Sequence, residues 1–510
     1  MKFLPGPRIV AAILFALLLG TALARPETPA GRSWPTFGGS INRNPVNTTE
    51  KNVVSTWSTA KGKEKNVKWA AQLGTTSYGG PTIAGGRIFV GTNNDRPRDP
   101  AVKGDKGVLM CFRESDGKFL WQAVHDKLED GEVNDFPKQG IISTPAVDGD
   151  QVYYVSNRCE LVCADAAGDE KSGKAKILWT LDMVKELKVF PCQASASSPL
   201  VLDDLVYVVP GNGVDIGKNN RPVENPKAPS FLAVDKKTGK VAWQSNAPGD
   251  RIMDGQWSNP VAAEVNGKKQ VIFPGGDGWL YAFEAKKGEL LWKFDCNPKA
   301  ATPYKAGGTG QKGFFIATPV VWENKVYVGI GQEPDDGPGV GHLWCIDVTK
   351  EPKNKDKDLS PVKDNFDPKA PANKESGLVW HYGGEIMPKP ADGREYVFGR
   401  TLSTCSVADG LVYAAELEGF LHCLDARTGK KYWEHDFLSS TWNAPTVIDG
   451  KVFMGVDGGK VFVFPAGKDK KAPTKIEGMN GDLKVPPVAV NGVLYVMTPT
   501  HLYALAAKLQ

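Results

Sequence analysis

The sequence predicts an all-β protein, an eight-bladed β-propeller of four-stranded antiparallel blades, closed by an N-terminal strand near Trp69 that completes the last blade. Three observations carry the prediction. One hairpin unit recurs along the chain, its last copy lacks a strand that the N-terminal part supplies, and 56 Gly and 37 Pro punctuate short apolar runs with no long helical periodicity.

The unit is plainest from Leu421 to Trp433, where a short apolar strand ends at Asp425, a turn follows at Thr428-Gly429-Lys430, and a second strand carries Trp433. Phe231 to Trp243, Leu280 to Trp292 and Leu109 to Trp121 repeat it. The turn Gly supplies positive φ, the Lys stays on a solvated edge, and the Trp buries its ring against a neighbouring sheet while its indole N–H reaches a backbone acceptor. The structural markers of the repeat are Trp69, Trp121, Trp179, Trp243, Trp292, Trp380 and Trp433, with Gly239, Gly288 and Gly429 at the turns.

Taken in order, the units open at Gly80-Pro81, Thr144-Pro145, Ser198-Pro199, Asn259-Pro260, Thr318-Pro319, Cys405-Ser406, Ala444-Pro445 and Pro486-Pro487. In the seventh, Lys475-Ile476 stands where a Trp is expected. The eighth stops after the strand His501 to Leu505, three strands in. Val67-Lys68-Trp69 is an orphan fourth strand, so pairing the two ends leaves only short, protected edges. The expected organisation is a signal peptide over 1–24, a lead segment over 25–66 and a single propeller over 67–510. A polar insertion at 349–374, with seven Lys, four Asp and one Glu, is expected as a solvated loop.

Lys2 and Arg8 before the apolar run Ile9 to Leu19, then Ala22-Leu23-Ala24, read as an export signal, and the run is short for a bilayer-spanning helix of roughly 20 residues. Localisation is therefore expected to be periplasmic or secreted, with no transmembrane span in the mature chain. Removing 1–24 takes two positive charges from a formal +4 and leaves +2, which gives no general electrostatic reason to bind nucleic acid. Cys111, Cys163, Cys345 and Cys423 occupy one small buried slot of the repeat, filled by Ala233, Ala282, Val463 and Ala504 elsewhere. Pairing among Cys159, Cys192, Cys296 and Cys405 stays open. His342, His422 and His501 sit at strand positions of the repeat and read as structural.

These hairpins, with Trp34-Pro35-Thr36-Phe37 ahead of them, resemble the repeats of the pyrroloquinoline-quinone (PQQ) type β-propellers over nearly the whole mature chain. The resemblance implies one of two functions. One branch of that family holds PQQ and Ca²⁺ on the propeller axis and oxidises alcohols or sugars; the other is cofactor-free and serves as a binding scaffold, as in the outer-membrane barrel-assembly machinery. The hairpins belong to both. The axis candidates just before each inner strand are Asp254, Gln256, Trp257, Asn259, Arg400, Thr404, Trp442 and Asn443, with Asp254 and Glu385 the acids to test first. No adjacent Cys-Cys pair is present. The reading that follows is a monomeric, non-catalytic envelope scaffold with protein partners and no cofactor; the alternative is a PQQ- and Ca²⁺-dependent dehydrogenase.

Overall fold

The computed structural model describes Met1 and residues 32–384 and 395–507. The expected signal peptide and Glu385 lie outside the described residues. Within them the chain is all-β, its one α-helix being the five residues Met183–Leu187. The strands form antiparallel meanders that hydrogen-bond into seven sheets: five of four strands, one of five and one of eight. The eight-stranded sheet joins two meanders, Thr82–Ala84 to Phe119–His125 and Ala146–Asp148 to Lys174–Asp182, through the single parallel pair Gln122↔Lys174. The cause is local. The hairpin of Glu160–Asp169 and Lys174–Asp182 is long enough for its tip to reach the neighbouring edge strand, where Gln122 N–H donates to the Gly173 carbonyl.

Each repeat hairpin is built as its residues dictate. Asp425 Oδ1 accepts from the backbone N–H of Arg427 and Thr428 and from the Thr428 hydroxyl, and Gly429 takes φ of 70°. The small slot faces the tryptophan directly: Cys423 opposes Trp433, Ala233 opposes Trp243 and Ala504 opposes Trp69. All eight cysteines are buried free thiols. Apart from Trp292, each repeat tryptophan hydrogen-bonds into the next meander: the indole N–H of Trp69 donates to Glu114 O, Trp121 to Ala166 O, Trp179 to Lys236 O, Trp243 to Ala285 O, Trp380 to Ala426 O and Trp433 to Gly467 O. The turn glycine of that next meander lies flat on the indole. A Cβ on Gly239 would stand 2.7 Å from Trp179, and one on Gly429 equally close to Trp380. Losing such a ring to alanine costs roughly 3–5 kcal/mol.

Two meanders depart from this pattern. Opposite Val463, the seat expected to hold Lys475-Ile476 in place of a Trp is taken by Thr474, and the large aromatic of that buried cluster is Trp57, contributed by the lead segment. The insertion at 349–374 is not wholly solvated as expected. Its few apolar residues anchor it, with Leu359 fully buried beside Trp292 and Phe366 edge-on to Trp344, while Lys357 and Leu359 pair with the backbone of Lys293.

Eight buried apolar clusters among the described residues each join two successive meanders. The one containing Ile88, Val90 and Met110 with Tyr495, Leu502 and Ala504 joins the last to the first. Val67–Gln72 pairs antiparallel with His501–Leu505, so the N-terminal strand is the fourth strand of the last sheet.

Residues 34–47 run across the first strands of all the meanders in turn. Trp34 pairs with Ile83, Pro35 O accepts from Val147 N–H, Ile41 O from Ala262 N–H, Asn42 O from Val321 N–H and Pro45 O from Val447 N–H. Asn44 exchanges two hydrogen bonds with Val407, and Asn47 donates to Ala489 O. Arg43, fully buried, donates to Ser198 O, Pro199 O, Pro260 O, Phe37 O and the Thr36 hydroxyl. Burial without a carboxylate partner lowers its pKa to about 9.

Candidate functional site

Above this crossing segment the segments preceding the first strands converge on a cavity of about 360 Å³. One repeat position supplies its wall. Counting back four residues from the start of each first strand gives Tyr78, Ile142, Ala196 and Trp257 from the first four meanders, and Ile316, Leu402, Trp442 and Lys484 from the others; all eight line the cavity. Phe37 of the crossing segment also lines it, as do Phe136 and the loop residues Glu333 and Asp335. The cavity is thus mostly apolar and aromatic with a few charged groups, the usual composition of a small-molecule or side-chain pocket.

The position two residues further on holds the meanders together. Gly80 N–H donates to the Thr144 hydroxyl, Thr144 N–H to the Ser198 hydroxyl, Ser198 N–H to Asn259 Oδ1 and Thr318 N–H to the Thr404 hydroxyl, while Asn259 Nδ2 donates to the Thr318 hydroxyl. Asn259 and Thr404 therefore have their polar groups committed to this ring of bonds. Asn443 donates to Leu483 O and Val485 O, and Gln256 to Asn212 O and the Ser230 hydroxyl. Arg400 spends its guanidinium on four carbonyls, those of Gly308, Gly310, Asp336 and Gly337.

Three of the sequence candidates line the cavity, Trp257, Asn259 and Trp442, and the two tryptophans give it ring surface. Trp442 stacks on Tyr78 with ring centroids 6.1 Å apart at 15°, and Lys484 Nζ lies 3.5 Å from the Trp442 centroid. Trp257 donates its indole N–H to Cys192 O and packs edge-on to Phe314. Asp254 lies behind that wall, fully buried, in an ion pair with Arg221 at 2.8 Å, and accepts from the Tyr304 hydroxyl and the Cys192 thiol. Burial pushes its pKa up against the pull of those partners. Glu333 is half-buried, and burial, followed by the charges of Asp254 and Asp336, pushes it up to about 7. Glu333, Asp335, Lys484, Tyr78 and Phe136 are wall residues that sequence reasoning missed. The shared offset from each first strand marks Tyr78 and Lys484; Glu333 and Asp335 stand in a loop unique to one meander and carry no repeat signal.

Calcium takes six to eight oxygen ligands. Among the described residues no three His, Cys, Asp or Glu side chains converge as a metal site, and both Asp254 oxygens are already taken.

The fold and cavity define a propeller with an axial pocket closed on one side by its own N-terminal segment. The chain belongs to the PQQ-repeat propeller family: the family model described as "Outer membrane protein assembly factor BamB" matches residues 105–362 and 374–471. A quinoprotein ethanol dehydrogenase of Pseudomonas putida is 34% identical over 104 residues, 20% of this chain and 13% of that protein. The dehydrogenase subunit of a quinone alcohol dehydrogenase of Acetobacter aceti is 25% identical over 258 residues, 45% of this chain and 33% of that one. The chain spans less than half the length of the curated relatives it matches. Among solved structures, the quinohemoprotein alcohol dehydrogenase ADHIIG of Pseudomonas putida HK5 aligns over 94% of this chain and 81% of its own, with a TM-score of 0.57 at 15% identity, a likeness of fold. No helix among the described residues is long and apolar enough to cross a membrane.

Proposed function

We propose that the protein is an exported eight-bladed propeller that acts as a non-catalytic binding or assembly scaffold in the cell envelope, engaging a protein partner at the axial pocket. The blade count is supported by the eight inter-meander clusters, the two meanders of the eight-stranded sheet counting as separate blades joined by one pair. The observation that carries the scaffold reading is that Asp254, Asn259, Arg400 and the amide NH2 of Asn443, the polar candidates for the axis, are engaged in bonds within the fold. The cavity wall itself is mostly apolar and aromatic, with Gln139, Gln193, Glu333, Asp335 and Lys484 among it, which suits recognition better than bond-making.

The test adds PQQ and Ca²⁺ to purified protein and follows quinone absorbance and dye reduction with a panel of alcohols and aldoses. The scaffold reading expects no turnover; stoichiometric binding with turnover establishes the dehydrogenase alternative, which the partial matches to quinone alcohol dehydrogenases favour. Affinity capture from envelope extract, compared between the native protein and Trp257→Leu, then identifies a partner held through the pocket.

A further inference from the structure

The cavity already shows how one of its walls handles positive charge. Lys484 Nζ sits 3.5 Å from the Trp442 ring centroid and 5.6 Å from that of Tyr78, an ammonium held on stacked aromatic rings. Trp257 occupies the same repeat position as Trp442, but its neighbours at that position are Ala196 and Ile316, and no cation among the described residues lies over its ring as Lys484 lies over Trp442.

The charges around Trp257 are unbalanced. Behind and beside it stand four carboxylates, Asp254, Glu333, Asp335 and Asp336. The cations among them are Arg221, paired with Asp254 at 2.8 Å, and Arg400, whose N–H groups point at four carbonyls. Asp336 is nine-tenths buried, and its Oδ2 has no hydrogen-bond partner among the described residues. The Glu333 carboxylate likewise has neither an ion pair nor a hydrogen bond among them, yet it lines the cavity. A partly desolvated carboxylate among like charges is stabilised by an incoming cation more than by any neutral group.

The geometry points to the Trp257–Glu333 side of the axial pocket as a binding site for an organic cation, a guanidinium or ammonium group seated on the indole face and paired with Glu333. This rests on the scaffold reading for its biological sense, since a basic side chain of a partner protein would carry that group; a free amine or guanidine shares the chemistry. Burial, followed by the charges of Asp254 and Asp336, pushes Glu333 up to about 7, so cation affinity rises from pH 6 to pH 8.

Isothermal titration at low salt tests the site with four probes: the peptide acetyl-Gly-Arg-Gly-amide, its citrulline counterpart, agmatine and methyl α-glucoside. The expected result is saturable binding of the arginine peptide at least tenfold tighter than the citrulline peptide, tightening with pH. Agmatine matching the peptide would assign the site to small amines; agmatine binding weakly would assign it to a partner's side chain. Glu333→Gln and Trp257→Leu should each weaken the arginine peptide about tenfold, and Glu333→Gln should abolish the pH dependence while leaving binding of the neutral citrulline peptide unchanged. Equal binding of arginine and citrulline peptides, preference for the glucoside, no binding at millimolar peptide, or full affinity in Glu333→Gln would overturn the assignment. Turnover with PQQ and Ca²⁺ would sink the scaffold reading alone, because the arginine–citrulline difference is measured without quinone.

Discussion

Trp292 donates its indole N–H to Gln270 Oε1 at 2.8 Å, and Gln270 Nε2 points on to Val348 O at 3.4 Å. Val348 follows Asp347 as Ala426 follows Asp425, so the glutamine relays the bond that other repeat tryptophans make directly. Here the insertion at 349–374 replaces the Thr-Gly-Lys turn. Gln270→Leu strands a buried indole N–H and should cost about 1–3 kcal/mol in urea unfolding. Gln270→Glu keeps the acceptor and should retain more stability, provided the comparison is made below pH 6.

Gly429 and Gly410 take φ of 70° and 75°, but a Cβ on Gly410 meets open space while one on Gly429 runs into the Trp380 ring. Alanine at either position carries the same left-handed backbone cost, roughly 1 kcal/mol. Gly429→Ala should therefore destabilise by about 1–3 kcal/mol more than Gly410→Ala, the excess measuring blade-to-blade packing. Equal losses would mean that the turn glycine serves backbone geometry only.

Arg43→Met removes the donor to four carbonyls and a hydroxyl in a buried setting. About 3–5 kcal/mol of stability should go with it. Lysine cannot reach acceptors on both Ser198 and Pro260 with one compact ammonium, so Arg43→Lys should recover little of the loss in a thermal melt.

His342 Nδ1 lies 2.9 Å from His381 Nε2, and burial lowers both pKa values, that of His342 to about 4. Asp364 pulls weakly the other way. The unfolded chain takes up these protons near pH 6.5, the folded chain only far lower, so stability is present above pH 6.5 and drains away as pH falls toward 4. Between pH 6.5 and 5 the loss from His342 alone should be about 1.5 kcal/mol. Urea midpoints across that range should show a shallower slope in His342→Gln; an unchanged slope would exclude the pair.

The repeat was legible in the sequence because each hairpin must place Asp, Gly and Trp at fixed offsets to close its turn and meet the next sheet. The N-terminal pairing of Trp69 with Ala504 was legible for the same reason, as a count of strands. The axial cavity was only half visible. Trp257 and Trp442 looked like a repeat position, and they are one, yet that position faces the axis in every meander. Asp254 and Arg400 drew attention as charges, but their partners, Arg221 and the carbonyls of a distant loop, come from elsewhere in the chain. The path of residues 34–47 left almost no trace, because it is held largely through backbone groups, which every residue carries.

That path sets an order of assembly. Trp34 to Asn47 are made first, yet their partners run from Ile83 to Ala489, so the segment cannot be seated until nearly the whole chain is available. Deleting residues through 48 should leave the sheets able to form but slow to unfold no longer, whereas deleting through Trp69 should also strip the last sheet of an edge; unfolding rates for the two truncations separate these roles. The stretch thus behaves as a clasp fastened after the circle is complete, and a protein of this design stays easy to open until its final blade has been delivered.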